Sequence, residues 1–132
     1  MLKLKCKGEI KMDIFCKIIA GELPSNKVYE DEDIICIMDA HPDAPGHALV
    51  IPKKHYTTIL DLDEEIWCKI KKVSDMIMKK QEERLPGITG IRVAVNYGEP
   101  QVVKHFHMHL IPVYINKPDL SQETICNILK QK

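Results

Sequence analysis

HFHMHLIP, residues 105–112, alternates a single polar residue type with apolar ones. On a β-strand, side chains two apart share a face and stand roughly 6.5 Å from each other. His105, His107 and His109 are therefore expected along one face, bordering a groove, with Phe106, Met108 and Leu110 turned into a core on the other. The chain holds six histidines, so half of them fall within this one strand. A solvated strand face normally mixes Lys, Glu, Thr and Ser. Repeating only the side chain that titrates near neutral pH points instead to chemistry or to a metal.

The segments around that strand supply the rest of a domain. Before it, IRVAVN alternates as a strand after the turn Pro86-Gly87, and YGEPQ breaks it. Over residues 61–83, Ile66, Ile70, Val73 and Ile77 step by four, three and four, which predicts one face of a long helix. Asp61 or Asp63 suits its N-cap, Glu64 and Glu65 its first turn, and Lys79 and Lys80 its last. HALVIP is a short apolar run between turn residues and reads as a buried strand, while KVYEDEDIICIMDA reads as two strands around an acidic turn. Asp13 caps a short helix carrying Phe15, Ile18 and Ile19 inward, and Gly21 stops it. Asp119 or Ser121 starts a weaker terminal helix within residues 118–132. The fold class is α+β: an antiparallel β-sheet with one long helix and a short N-terminal helix. Residues 13–132 are expected to form a single domain, and the lysine-rich residues 1–12 a flexible extension.

The totals narrow the function. Lys+Arg and Asp+Glu both number 19, so the net charge gives no attraction to nucleic acid or to an anionic membrane. No window approaches the roughly 18 apolar residues of a membrane span, and residues 1–12 lack the apolar core of a secretory signal. Five cysteines without a C-x-x-C pair fit a reduced interior better than a disulfide framework. A soluble cytoplasmic protein without nucleic-acid or membrane partners is expected.

Two chemistries compete for the histidine row. Alternating imidazoles can converge on zinc, although a catalytic zinc commonly takes ligands from separate segments with carboxylates behind them. Alternatively, one imidazole attacks an electrophile while its neighbours bind the anion. No H-E-x-x-H motif or aspartate-rich metal cluster accompanies the row, which favours the nucleophile.

H-F-H-M-H-L-I resembles the His-x-His-x-His-x-x signature, with apolar x, of the histidine triad (HIT) family. The similarity extends through DIFCKIIAGE near the start, DAHPDAPGHALVIPKKH in the middle and NYGEPQVV before the signature. It spans about residues 13–115. The resemblance implies a nucleotide hydrolase or transferase, generally a homodimer, acting at the α-phosphate of purine nucleoside phosphoramidates, dinucleoside polyphosphates or related compounds. His107 matches the nucleophile, with the His105 carbonyl accepting from its Nδ1–H and leaving Nε2 free. A covalent nucleotidyl-imidazole splits one displacement into two easier ones. His109 and His47 match phosphate-site histidines, and Gln101 a phosphate or leaving-group contact. Asp39 matches the acid at the ribose hydroxyls; Phe15, Ile18, Ile37 and Ala40 match the apolar walls around the base; Asn96 matches an amide near sugar and phosphate. Ile18 and Ile37 serve equally well as plain core; for Asp39 and Asn96 the lesser alternative is a turn residue.

Three departures from the family pattern matter. Where some relatives hold a structural zinc with Cys-x-x-Cys and two histidines, this chain has Asp13, Cys16, His55 and His105, which the resemblance offers as a mixed zinc site; the alternative is a buried free thiol at Cys16 with no metal. No cofactor is expected for catalysis itself. Val102 stands where several relatives place a serine, so a leaving-group contact is expected to be missing. The tail lacks a tryptophan, the single one being Trp67 on the long helix, and Tyr114 is its nearest substitute. A phosphoramidase-like hydrolase is the leading expectation. The alternatives are a dinucleoside polyphosphate hydrolase and a nucleotide- or zinc-binding partner protein whose hydrolysis is incidental.

Overall fold

The computed structural model describes residues 13–132, so the expected extension over residues 1–12 lies outside the described part. Five strands form one antiparallel sheet: β1 (Lys27–Glu30), β2 (Ile34–Met38), β3 (Ala48–Pro52), β4 (Ile88–Ala94) and β5 (Met108–Tyr114), in the order β1-β2-β3-β5-β4. Three helices accompany it: α1 (Ile14–Ile19), α2 (Glu64–Arg84) and α3 (Gln122–Lys130). The expected α+β architecture is the observed one.

Alternation assigns the two faces of the sheet. Ile34, Cys36 and Met38 of β2, Ala48 and Val50 of β3, and Met108 and Leu110 of β5 pack with Phe106 against Ile66, Ile70, Val73 and Ile77 of α2 and Ile125 and Leu129 of α3. Ile35, Ile37, Leu49 and Ile51 face the other way and meet Phe15 and Ile18 of α1. The second cluster is small, which leaves room on that face for a cavity.

The helix starts follow their caps. Asp13 accepts the Cys16 N–H at 2.7 Å and Asp63 accepts the Ile66 N–H at 2.9 Å, each satisfying a donor that the first turn leaves unpaired. Asp63 rather than Asp61 caps α2, which therefore begins three residues after residue 61. Asp61 instead closes a 3-10 turn, Ile59–Asp61, whose N-cap is Thr58. The helix runs on past Lys79 and Lys80, so Arg84 is the basic residue of its last turn. Ser121 caps α3.

Two strand boundaries differ from expectation. β4 begins at Ile88, because Ile88 already pairs with Tyr114. β5 begins at Met108, later than His105. The Phe106 N–H bonds the Tyr56 carbonyl at 2.6 Å instead of a neighbouring strand, and the main chain bends at His105. That bend has consequences for the histidine row.

Candidate active site

A cavity of about 600 Å³ opens between α1, the end of the β1–β2 hairpin and β5, within the range of small-molecule sites. Phe15, Ile18, Ile37, Leu49 and Ala40 give it apolar walls, and Asp39, His107 and His109 bring polar groups to one side.

His107 and His109 face this cavity, but His105 does not. His105 is fully buried, and its ring turns away toward Asp13 and Cys16. The expectation that all three imidazoles border one groove is corrected to two, since the bend before β5 takes His105 out of the period-two pattern. His105 nevertheless reaches the cavity through its main chain. Its carbonyl accepts from His107 Nδ1–H at 2.8 Å, which fixes the tautomer and leaves the lone pair on Nε2. Burial pushes His107 below the usual imidazole range, the His105 carbonyl opposing it. Phe15 packs against the ring in an edge-to-face arrangement with centroids 4.9 Å apart. His107 is thus a neutral imidazole held in one orientation.

A second chain of bonds orients His109. The Asp43 N–H points at His47 Nδ1, 3.1 Å away, so that nitrogen is an acceptor and the proton sits on Nε2. His47 Nε2 stands 2.9 Å from His109 Nδ1 and 3.4 Å from Asp39 Oδ2. It donates across the shorter distance, which places the proton of His109 on Nε2. That nitrogen is buried and has no partner among the described residues. An unpaired buried N–H costs free energy unless a ligand takes it, and this one suits a phosphoryl oxygen. Burial, followed by the neighbouring His107 and His47, lowers the His109 pKa to about 4; burial lowers that of His47 also.

Among the described residues, two groups of side chains bring metal-ligating atoms together, and the same tautomer logic separates them. In the first, Asp13 Oδ2 lies 3.2 Å from both His55 Nδ1 and His105 Nδ1, and Cys16 Sγ lies 3.7 Å and 3.5 Å from the same two nitrogens. Tetrahedral zinc with ordinary bond lengths spaces its ligands roughly 3.3 to 3.6 Å apart. His105 Nε2–H donates to the Pro52 carbonyl at 2.8 Å, directing the Nδ1 lone pair into the cluster as a metal ligand needs. The spacing fits zinc, but the Cys16 sulfur is tied in a disulfide here, against the expectation of reduced cysteines, so it becomes a thiolate ligand only once reduced. The second group is Asp39, His47 and His109. A metal on His47 Nε2 would require a proton on Nδ1, facing the Asp43 N–H donor, so this wiring opposes a metal there.

The HIT domain family profile matches residues 20–116. The chain belongs to the HIT family. It is 38% identical over 109 residues to an uncharacterised HIT-like protein of Methanocaldococcus jannaschii, covering 78% of this chain and 80% of that one. It is 39% identical over 105 residues to the adenylylsulfatase HINT3 of Arabidopsis thaliana, covering 75% of this chain and 51% of the plant protein. Among solved structures, a zinc-bound histidine triad protein of Mycobacterium smegmatis superposes with a TM-score of 0.81 at 30% identity, covering 89% and 90% of the two chains. A hypothetical histidine triad nucleotide-binding protein of Sulfolobus tokodaii superposes at 0.82 and 33% identity, covering 88% of each.

Other residues singled out in this HIT chain take varied places. Phe15, Ile18, Ile37, Asp39 and Ala40 line the cavity, while His47 sits buried behind His109. Gln101, Val102 and Asn96 do not line it. Gln101 is buried and spends its amide hydrogens on the Thr57 and Val103 carbonyls; Val102 is 87% exposed; Asn96 follows the end of β4. Tyr114 donates to the Pro45 carbonyl at 2.6 Å, bracing a loop rather than entering the cavity. Leu49, Val103 and Ser25 line the cavity without having been singled out in the sequence, and His41, outside the family pattern and expected to be merely exposed, is exposed at its rim. Leu49 pairs with Ile37 across β2 and β3, a register that the uniform apolar run HALVIP does not disclose. Among the described residues, no helix is long and apolar enough to cross a membrane.

Proposed function

We propose that the protein hydrolyses a purine nucleoside phosphoramidate, or a related nucleotide, at its α-phosphate through a covalent nucleotidyl-His107 intermediate. The observation that carries this reading is the bond from His107 Nδ1–H to the His105 carbonyl, which aims a neutral Nε2 lone pair at the cavity. The base lies between Phe15, Ile18, Ile37 and Leu49, the ribose hydroxyls on Asp39, and the α-phosphate between His107 and His109. Nε2 of His107 bonds to phosphorus as the leaving group departs with its electron pair and takes up a proton. His109 Nε2–H donates to a non-bridging oxygen, where charge concentrates. Water then attacks phosphorus and loses a proton, and the imidazole regains its electron pair. The adenylylsulfatase name of the Arabidopsis relative supports a nucleoside α-phosphate as the common target with a variable leaving group.

In this reading Asp13, His55, His105 and Cys16, the last with its disulfide reduced, hold one structural zinc. The ion ties α1 to the segments before α2 and before β5 and takes no part in the chemistry. A homodimer is part of the same proposal. β4 is a sheet edge whose Val93 is 49% exposed, and a free edge is a template for pairing with a second chain.

The test is to quench a reaction with an adenosine phosphoramidate and map the nucleotidyl mass by peptide analysis. The label is expected on the peptide carrying His107. His107→Ala should abolish turnover while nucleotide binding persists, which separates an enzyme from a binding protein. Undiminished turnover in that variant removes the assignment.

A further inference from the structure

The loop from Asp39 to His47 carries both the carboxylate and the buried imidazole that the proposed function requires, and one side chain of α3 grips it at three points. Gln122 gives one amide hydrogen to the Asp39 carbonyl and the other to the His47 carbonyl, each at 3.0 Å. Its oxygen accepts the Gly46 N–H at 2.7 Å. A primary amide has two donors and one acceptor oxygen, so both donors and the acceptor are committed to this loop. The Asp39 N–H also bonds the His47 carbonyl at 2.9 Å. Gln122 therefore sits across the neck where the chain enters and leaves the loop.

We infer that Gln122 is a positioning residue, through which the C-terminal helix sets the separation of the ribose-binding carboxylate and the phosphate-directed imidazoles. The inference rests on the nucleotide reading above. Two features distinguish it from ordinary helix docking. α3 is anchored without Gln122, by buried Ile125, Cys126 and Leu129 and by the Arg84 guanidinium on the Ile128 and Gln131 carbonyls. Moreover, the bonds of Gln122 end on the peptide groups of Asp39 and His47 themselves, and on that of Gly46 beside them. The backbone of His47 places its ring 2.9 Å from His109, so a shift of the neck misaligns the Nε2–H offered to phosphate. Gln81 holds the opposite side of the Gly46 peptide, donating to its carbonyl at 3.1 Å. With that support the loop remains in place when Gln122 is changed, but its neck loosens.

Three variants test this: Gln122→Ala, Gln122→Glu and Arg84→Ala. Glutamate keeps an acceptor for the Gly46 N–H and has no hydrogens for the two carbonyls. Both Gln122 variants are expected to lose roughly ten- to a hundredfold in kcat/KM, the scale of a small misplacement at a reacting centre. Their preference for ribonucleotides over 2′,3′-dideoxy analogues should shrink, since Asp39 is displaced. Arg84→Ala loosens the same helix at its far end and should stay within about threefold of the wild type. Amide hydrogen exchange supplies a readout independent of turnover: the Gly46 amide should exchange at least about tenfold faster in Gln122→Ala. The inference is overturned if Gln122→Ala stays within about threefold of wild-type kcat/KM, or if Arg84→Ala loses as much activity at a matching Tm. Should the wild type hydrolyse none of the nucleotides offered, the functional reading fails by itself. Exchange then still judges the clamp, and unchanged protection of Gly46 overturns it.

Discussion

Replacing Gly46 by alanine tests how tightly the loop that delivers His47 is built. Gly46 has φ +90°, and a Cβ there would lie 2.9 Å from Leu85 Cδ1, 3.2 Å from Pro112 Cγ and 3.5 Å from the Tyr114 hydroxyl oxygen. A left-handed backbone costs an L-residue about 1–2 kcal/mol. Crowding a methyl into packed neighbours adds about 1–3 kcal/mol. Leu85 is 3% exposed, and the Pro112 ring cannot rotate away, so little of the crowding is relieved. The reduced freedom of the unfolded chain returns about 0.4–1 kcal/mol, leaving a net loss of about 1–5 kcal/mol. At about 2.1 cal/mol/K of unfolding entropy per residue, a chain of this length should lose roughly 4–17 °C in Tm. Thermal unfolding of Gly46→Ala beside the wild type measures this directly. Activity at a temperature where both are folded should fall as well, because the displaced peptide leads straight into His47. A Tm within about 3 °C of the wild type would refute the reasoning, since neither the strain nor the contacts would then be real.

Acid should destabilise the protein through the same histidines. An unfolded imidazole takes up its proton near pH ~6.5, whereas folded His109 does so only at about 4 and His47 is also held low. Between those values the unfolded chain binds more protons, so stability is present above the unfolded pKa and falls as pH drops through the window. Urea midpoints at a series of pH values should show this slope, reduced in His109→Asn; an unchanged slope in that variant counts against the assignment. As for metal, protein kept reduced and never exposed to chelator should carry about one zinc per chain and lose Tm on its removal, because an ion bound only by the folded state stabilises it. His47→Ala should leave the zinc content unchanged while Asp13→Ala lowers it. No zinc in such material removes the first site, and a loss confined to His47→Ala removes the distinction drawn between the two clusters.

How far the sequence carries can be judged residue by residue. The alternation in Phe106, Met108 and Leu110 foretells the face that α2 covers, and Asp13, Asp63 and Ser121 mark helix starts that the structure uses. These are local matters: a strand repeats every two residues, a helix every 3.6, and a cap needs a side chain within three residues of an orphan N–H. His105 is where this reasoning runs out. Its spacing from His107 promises a shared face, yet the Tyr56 carbonyl captures the next N–H and the ring turns into the cluster with Asp13, Cys16 and His55.

The same division holds across the site. The chain by itself determined an α+β sheet with α2 across one face, a row of histidines beside it, and the residues whose likeness to the HIT family points to nucleotide chemistry. Tertiary structure alone decided which nitrogen of each imidazole carries its proton, which four ligating atoms stand at zinc spacing, and that Gln122 and Gln81 grip the His47 loop. Periodicity reports which side of an element a residue occupies. A tautomer or an amide bond depends on a partner atom, here mostly main-chain groups distant along the chain, and only the folded register brings that atom within 3 Å or so.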